Sequence, residues 1–131
     1  MTILEIAPWI GAAGFLTFTL WQLSGREALK KNTWLLPAGL SALFLIWTLI
    51  AVFIEGPLSF WAAHMSDFWG NQIWFDLLFA ISISWFFILP QARKQGMKPA
   101  PWLGLIICTG CIGVLAMVSR LLYLKENHQG T

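Results

Sequence analysis

Four long apolar runs alternate with short polar connections along the sequence. They lie near residues 6–23, 35–54, 72–89 and 102–124. An α-helix needs roughly 20 consecutive apolar residues to cross the hydrocarbon core of a bilayer, and each run is close to that length. The pattern predicts an all-α integral membrane protein, a bundle of four antiparallel helices that forms a single transmembrane domain over residues 1–131.

The connection between the second and third runs has a helical pattern of its own. At about 100° per residue, its large apolar side chains share one face, with Ser59, Ser66 and Asp67 opposite. This pattern is typical of a short amphipathic helix in the membrane interface, where Trp is enriched. We interpret the segment as an anchor between the two helices, the alternative being a lid over an opening between them. The apolar face consists of Leu58, Trp61, Met65, Phe68 and Trp69, of which the last four are the expected anchoring side chains.

The composition favours a membrane over water. Hydrophobic residues make up 58% of the 131 residues and charged residues only 11%, with a mean hydropathy of +0.71. Soluble domains carry about 25% charged residues. The chain also has nine Trp and ten Phe, and Trp suits positions where an apolar body and a polar N–H are both accommodated. The net charge of +2 is gathered at segment ends, which argues against nucleic acid as a partner.

Basic residues are concentrated in two of the three connections. Residues 24–33 and 91–100 each carry three Lys or Arg residues, whereas residues 55–71 carry none. Cytoplasmic loops are enriched in Lys and Arg. We therefore expect a multi-pass protein of a bacterial inner membrane, with the basic connections in the cytoplasm and both termini outside. Arg120 and Lys125 run against this bias. The residues that set it are Arg26, Lys30, Lys31, Arg93, Lys94 and Lys98.

One acidic and one basic side chain lie inside the third and fourth runs. Asp76 and Arg120 are each about 6 Å below the outer end of their helices, at a rise of about 1.5 Å per residue. Ionisable residues are costly in hydrocarbon. Gln72, Asp76, Ala80 and Ser84 form a stripe of polar or small residues on the third helix, and Thr109, Gly113, Ala116 and Arg120 form one on the fourth, so the two helices can approach closely. Gly110 and Gly113 are also interpreted as helix contacts. We expect either a pair that fixes helix register or the floor of an outer ligand pocket rimmed by Glu55, His64 and Gln72.

The pair Cys108 and Cys111, separated by two residues, lies inside the fourth run. On this spacing and the helix count, the chain resembles the vitamin K epoxide reductases and the disulfide-forming membrane oxidoreductases. Those families carry a second cysteine pair, which is missing here. The predicted topology also places both thiols in the inner half of the bilayer, away from an oxidising compartment. We interpret them as small packing residues, with redox chemistry as the alternative.

Transport and metal binding receive less support. In length and helix count the chain is similar to the small multidrug transporters, whose essential carboxylate lies within the first helix. Here the first helix is uncharged after Glu5.

His64 and His128 are the only histidines, so we predict no metal site.

The second half of the chain, from Asn71 to Glu126, resembles a family of small bacterial four-helix membrane proteins of unknown function. The resemblance implies a four-helix fold and gives weight to Asp76, but it implies no activity. A shorter similarity, Phe75-Asp76-Leu77, is to carotenoid-pathway membrane proteins and suggests a ligand class. The matching residues are Asn71, Asp76-Leu77-Leu78, Trp85-Phe86-Phe87, Ala92-Arg93-Lys94-Gln95-Gly96-Met97, Trp102, Gly113 and Leu122-Tyr123-Leu124-Lys125-Glu126.

These patterns favour a non-enzymatic accessory or binding protein. Besides membrane lipids, its expected partner is an apolar ligand (a carotenoid, quinone or other isoprenoid), a membrane protein, or a second copy of the chain. The alternative is a membrane enzyme acting on an isoprenoid or quinone, with Asp76 as acid or base and Arg120 orienting the substrate. Such catalysis would need a group with a perturbed pKa within reach of the substrate, and we assign no catalytic residue.

Overall fold

The computed structural model describes residues 2–23 and 32–129, which form six α-helices and contain no strand. The helices are α1 (Ile3–Leu23), α2 (Leu35–Glu55), α3 (Ser59–Met65), α4 (Phe68–Lys94), α5 (Pro99–Thr109) and α6 (Cys111–Gln129). Three of them, α1, α2 and α4, are long and apolar enough to cross a membrane. The predicted all-α class with helices of membrane length is confirmed, whereas the predicted four-helix bundle is not.

The chain divides into two compact units, residues 1–30 and 31–131. The described part of the first unit is α1. The backbone N–H of Thr2 donates to a carboxylate oxygen of Glu5 at 2.8 Å, which satisfies one of the donors that a helix start leaves without a partner. The hydroxyl of Thr17 donates to the carbonyl of Ala13 at 2.8 Å. Both polar groups are therefore satisfied within the segment itself.

The fourth apolar run is two helices rather than one. Gly110 separates α5 from α6 with φ 64° and ψ −126°, a backbone conformation that residues with a Cβ rarely adopt. Its N–H donates to the carbonyl of Ile106 at 2.6 Å and closes the last turn of α5. The prediction of a continuous helix over residues 102–124 is therefore wrong, because the hydropathy of the run does not register a single glycine with positive φ.

After this break, α6 runs back along α5. A Cβ added to Gly113 would lie 2.9 Å from the Cα of Ile106, so the two backbones are in close contact at this point. At the far end of α6, the Lys125 ammonium donates to the side-chain oxygen of Gln91, near the end of α4. The helices α5 and α6 thus form a hairpin that starts and finishes beside the end of α4.

The hairpin also lies against the first half of α2. The hydroxyl of Ser41 donates to the carbonyl of Ile112 at 3.0 Å, and that of Ser119 donates to the carbonyl of Trp34 at 2.9 Å. The residue nearer the start of α2 contacts the residue farther along α6, so the two helices are antiparallel. A Cβ on Gly110 would be 3.9 Å from Ile81, at the middle of α4. The turn therefore reaches only halfway along α4.

Two ends of the second unit can now be distinguished. The basic end comprises residues 32–36, 91–98 and 119–129, where the start of α2, the end of α4 and the end of α6 meet. The acidic end comprises residues 53–76, from the end of α2 to the first turns of α4. The sequence predicts that the end of the fourth run lies opposite the connection at 91–100. The structure places it at the same end, because Gly110 reverses the chain.

The buried core is small and lies at the basic end, between α4, α5 and α6. Met117 and Ala92 are fully buried there, whereas large apolar side chains along α2 and α4 are open to their surroundings, with Phe53 92% exposed and Phe86 73% exposed. A protein in water rarely leaves so much apolar area uncovered. The core cluster consists of Ala92, Met97, Ile106, Met117 and Leu121.

The helix α4 is longer than the helix that the sequence predicts over residues 72–89. Asp67 caps the first turn of α4, accepting from the N–H of Gly70 at 2.6 Å, so the helix begins at Phe68 instead of residue 72. It continues past the exposed Pro90 to Lys94. Its length is about 40 Å at a rise of about 1.5 Å per residue. The amphipathic helix α3 correspondingly ends at Met65, and Phe68 and Trp69 belong to α4.

Two glycines of the hairpin allow a matched test of its packing. We expect Gly113→Ala to lower the free energy of unfolding by about 1–3 kcal/mol, because the new methyl group would overlap the backbone of Ile106. Gly104, in α5, has open space around it. Gly104→Ala should therefore be neutral or stabilising by up to about 1 kcal/mol, since Ala is the better helix former. Thermal unfolding in mild detergent, followed by circular dichroism, measures both. Equal stability of the two variants would contradict the hairpin.

Candidate functional site

The two predicted central residues of the pocket, Asp76 and Arg120, lie at different ends of the second unit. Arg120 follows Ser119, whose hydroxyl bonds to the carbonyl of Trp34 at the basic end. Asp76 lies on the third turn of α4, at the acidic end, about 22 Å of helix before Gln91 at a rise of about 1.5 Å per residue. The sequence-based expectation that they meet assumes a straight fourth helix. The break at Gly110 removes that assumption.

The remaining predicted pocket residues, Glu55, His64 and Gln72, lie at the acidic end with Asp76. Glu55 is the last residue of α2, and its backbone carbonyl accepts from the hydroxyl of Ser59. Gln72 and Asp76 are exposed one turn apart on α4. Within the part of the chain that the structure describes, the carboxylate of Asp76 has neither a hydrogen bond nor an ion pair. An apolar helix thus presents an unpartnered carboxylate on its surface.

His64 is the centre of an aromatic cluster at the acidic end, which consists of Phe60, Trp61, His64 and Trp74. Its ring centroid lies 5.0 Å from that of Trp74 and 6.3 Å from that of Phe60. The ring nitrogen Nδ1 is 3.2 Å from the carbonyl oxygen of Gly70. A carbonyl only accepts, so Nδ1 carries the proton in this contact. When the ring is neutral, Nε2 is therefore left as a hydrogen-bond acceptor.

The aromatic cluster is held by the tight passage from α3 to α4. A Cβ on Gly70 would lie 2.4 Å from the carbonyl oxygen of Ala63, so only glycine allows α3 to approach α4 this closely. The side-chain amide of Asn71 donates to the carbonyl of His64 at 2.8 Å. These contacts join the end of α3 to the first turn of α4 and fix the orientation of the imidazole.

The predicted anchoring side chains are uncovered in the described part of the chain. Phe68 is 95% exposed, Trp69 76% and Met65 63%, while Trp61 is about half exposed because it packs on Trp74. The sequence does not indicate the role of Trp74 or of Phe60. Their contacts join two helices, whereas a helical wheel compares positions within one helix.

The two cysteines flank the turn of the hairpin. Cys108 lies in the last turn of α5 and is exposed, and Cys111 is the first residue of α6 and is half-buried; both thiols are free. Among residues 2–23 and 32–129, no three His, Cys, Asp or Glu side chains are grouped so that they could hold a metal ion. The interpretation of the two cysteines as packing residues, with redox chemistry as the alternative, stays a prediction.

Arg120 has a distinct environment at the basic end. Its guanidinium carbon lies 5.5 Å from the centre of the Tyr123 ring. Trp34 meets the same tyrosine edge-to-face, with 5.4 Å between ring centroids. An open surface cavity of about 270 Å³ adjoins these side chains, lined by Trp34, Ala116, Ser119, Arg120 and Tyr123.

Comparison with protein-family models, curated proteins and solved structures found no match to this chain. No similar protein therefore supports an inference about the fold or the candidate sites of this chain.

The separation of Asp76 from Arg120 predicts that the two residues are energetically independent. In a double-mutant cycle of Asp76→Asn and Arg120→Gln, the changes in unfolding free energy should add within about 0.5 kcal/mol, as for sites more than about 10 Å apart. Thermal unfolding of the wild type, both single variants and the double variant in one detergent measures the coupling. A coupling of more than about 1 kcal/mol would show that the two side chains interact.

Proposed function

We propose that the protein is a non-enzymatic accessory protein of a bacterial inner membrane. It binds a membrane protein partner through the exposed face of α4 that carries Gln72, Asp76 and Ala80, here called the Asp76 face. In this arrangement α1, α2 and α4 cross the bilayer, and the hairpin of α5 and α6 enters from the basic end and returns to it. Its turn reaches the level of Ile81, close to the bilayer midplane if α4 is centred in the membrane.

The charges of the second unit support this orientation. Every described Lys and Arg lies at the basic end: Arg93, Lys94, Lys98, Arg120 and Lys125. Of the four acidic residues described in this unit, Glu55, Asp67 and Asp76 lie at the other end and Glu126 lies at the basic end. With the hairpin arrangement, Arg120 and Lys125 agree with the positive-inside rule instead of opposing it. Arg26, Lys30 and Lys31 fall outside the described residues. We place the basic end, with the end of α6, in the cytoplasm, and the N-terminus outside.

This orientation differs from a four-crossing topology in the location of the C-terminal tail. In a background of Cys108→Ser and Cys111→Ser, we expect Ser66→Cys to react with a membrane-impermeant maleimide added to intact spheroplasts. Lys98→Cys and a cysteine appended to the C-terminus should react only after lysis. Labelling of the appended cysteine in intact spheroplasts would contradict the re-entrant hairpin and favour four crossings.

The partner is inferred from the state of Asp76. An acidic residue within a membrane helix is costly, by about 2.5–3.5 kcal/mol at the helix centre and less toward the ends, and such residues usually face a partner or a water-filled cavity. Asp76 is exposed and lacks a partner among the described residues. It shares its face with the exposed Gln72 and Ala80, whose polar and small side chains suit a close helix contact. A helix carrying a cation or a hydrogen-bond donor would satisfy this face.

The enzymatic alternative has less support. It requires Arg120 to orient a substrate beside Asp76, and the two residues lie at different ends of the second unit.

A second binding candidate is an isoprenoid-like ligand at the aromatic cluster. It is favoured by the acceptor that His64 presents between Phe60 and Trp74, which would suit a hydroxyl or quinol head group.

The partner proposal predicts a charge-dependent complex. After solubilisation in mild detergent, the wild-type protein should migrate in a native gel as a complex larger than the single chain. Asp76→Asn should reduce that complex about tenfold, the equivalent of roughly 1.4 kcal/mol. Asp76→Glu should retain most of it.

Glu55→Gln serves as the control, since it removes an exposed carboxylate at the same end of the unit without altering the α4 face. An unchanged complex in Asp76→Asn would contradict the proposal. A single chain carrying a stoichiometric isoprenoid in its organic extract would instead favour the ligand candidate. Equal thermal stability of Asp76→Asn and the wild type alone would show that the loss concerns binding.

A further inference from the structure

We propose that the cavity at the basic end binds the phosphate of an anionic phospholipid, with Arg120 as its principal ligand. The site is defined by Trp34, Ala116, Ser119, Arg120 and Tyr123. It is separate from the Asp76 face and does not depend on the partner proposed for that face.

The guanidinium of Arg120 is available to an anion. The side chain is exposed, and its described contact is with the face of the Tyr123 ring. That contact holds the planar group while leaving its N–H donors free of any carboxylate in the described chain. Glu126, the one acidic residue described at this end, accepts the N–H of Asn32 with both oxygens at 3.0 Å. A bound anion would therefore not compete with a neighbouring carboxylate for Arg120.

The rest of the cavity suits a lipid better than a free anion. The rings of Trp34 and Tyr123 lie at the level where α2 begins, and Trp and Tyr side chains are enriched at the head-group level of membranes. Ala116, one turn toward the hairpin turn, gives an apolar wall along which an acyl chain can lie. The hydroxyl of Ser119 is already used by the carbonyl of Trp34, so the cavity offers one strong anion ligand beside apolar surface.

The charge of the basic end favours an anionic lipid over a zwitterionic one. Lys125 lies five residues beyond Arg120 on α6, where it bonds to Gln91, and Arg93, Lys94 and Lys98 lie on the neighbouring end of α4 and its connection. Basic pockets between membrane helices bind anionic head groups on the cytoplasmic side, where the orientation proposed above places this end. Arg can bind a phosphodiester with two parallel hydrogen bonds, which Lys cannot do.

The test compares three additives on the purified protein in a non-ionic detergent. Phosphatidylglycerol should raise the midpoint of thermal unfolding in a saturable manner, whereas phosphatidylcholine and inorganic phosphate at the same concentration should not. Native mass spectrometry of the same samples should show one phosphatidylglycerol molecule bound in preference to the others. A response to inorganic phosphate alone, or an equal response to both lipids, would overturn the proposal.

Three variants separate a defined site from general attraction to basic charge. Arg120→Gln should weaken phosphatidylglycerol binding about tenfold, because the loss of one charge-assisted bidentate contact removes the main ligand. Arg120→Lys should show an intermediate loss. Arg93→Gln removes the same charge from an exposed position outside the cavity and should change the affinity less than about twofold. Equal losses in Arg120→Gln and Arg93→Gln would reduce the effect to surface charge and refute the site.

Discussion

A backbone at membrane depth has no water with which to satisfy its N–H and C=O groups, so an interrupted helix must find protein partners for the groups that the interruption frees. In the proposed placement of the hairpin, the break at Gly110 comes under this requirement. Gly110 donates back to Ile106, and the Thr109 hydroxyl donates to the carbonyl of Leu105 at 2.7 Å. The N–H of Val114 donates to the carbonyl of Gly110, and from α2 the hydroxyl of Ser41 donates to the carbonyl of Ile112. The hairpin is therefore supported by α2 as well as by its own two helices.

The helices that could be predicted from the sequence are those for which the length of the apolar run is sufficient to indicate a membrane-spanning helix. Runs of about 20 apolar residues leave few alternatives to a spanning helix, which is why α1 and α2 were predictable to within three residues, whereas α4 extends four residues before and five residues beyond the predicted run. The fourth run satisfies the same criterion but is interrupted. Gly110 was interpreted as a helix contact, because sequence does not distinguish a glycine needed for positive φ from one needed for close approach. Gly113 is a residue of the second kind.

The candidate sites were predictable only in part, for a related reason. His64 and Trp61 stand out from spacing within one short helix, and Asp76 stands out as a charge in an apolar run. The meeting of Asp76 with Arg120 was deduced from equal depths in two straight helices, and it fails once one helix turns back. In the sequence, the one indication of that turn was the position of Arg120 and Lys125, which a straight fourth helix places on the side of the membrane that is poor in Lys and Arg. The contacts of Trp74 and of Trp34 depend on packing between helices, which spacing does not reveal.

The half-length hairpin gives the second unit a different width at its two ends. Around the basic end, four helices (α2, α4, α5 and α6) share the cross-section, whereas beyond the turn at Gly110 only α2 and α4 continue, with α3 beside them. In a bilayer, such a wedge displaces more lipid from one leaflet than from the other. Its elastic energy is lowest where the membrane bulges toward the wider side, so this unit would favour regions of the membrane that are convex on the side of its basic end.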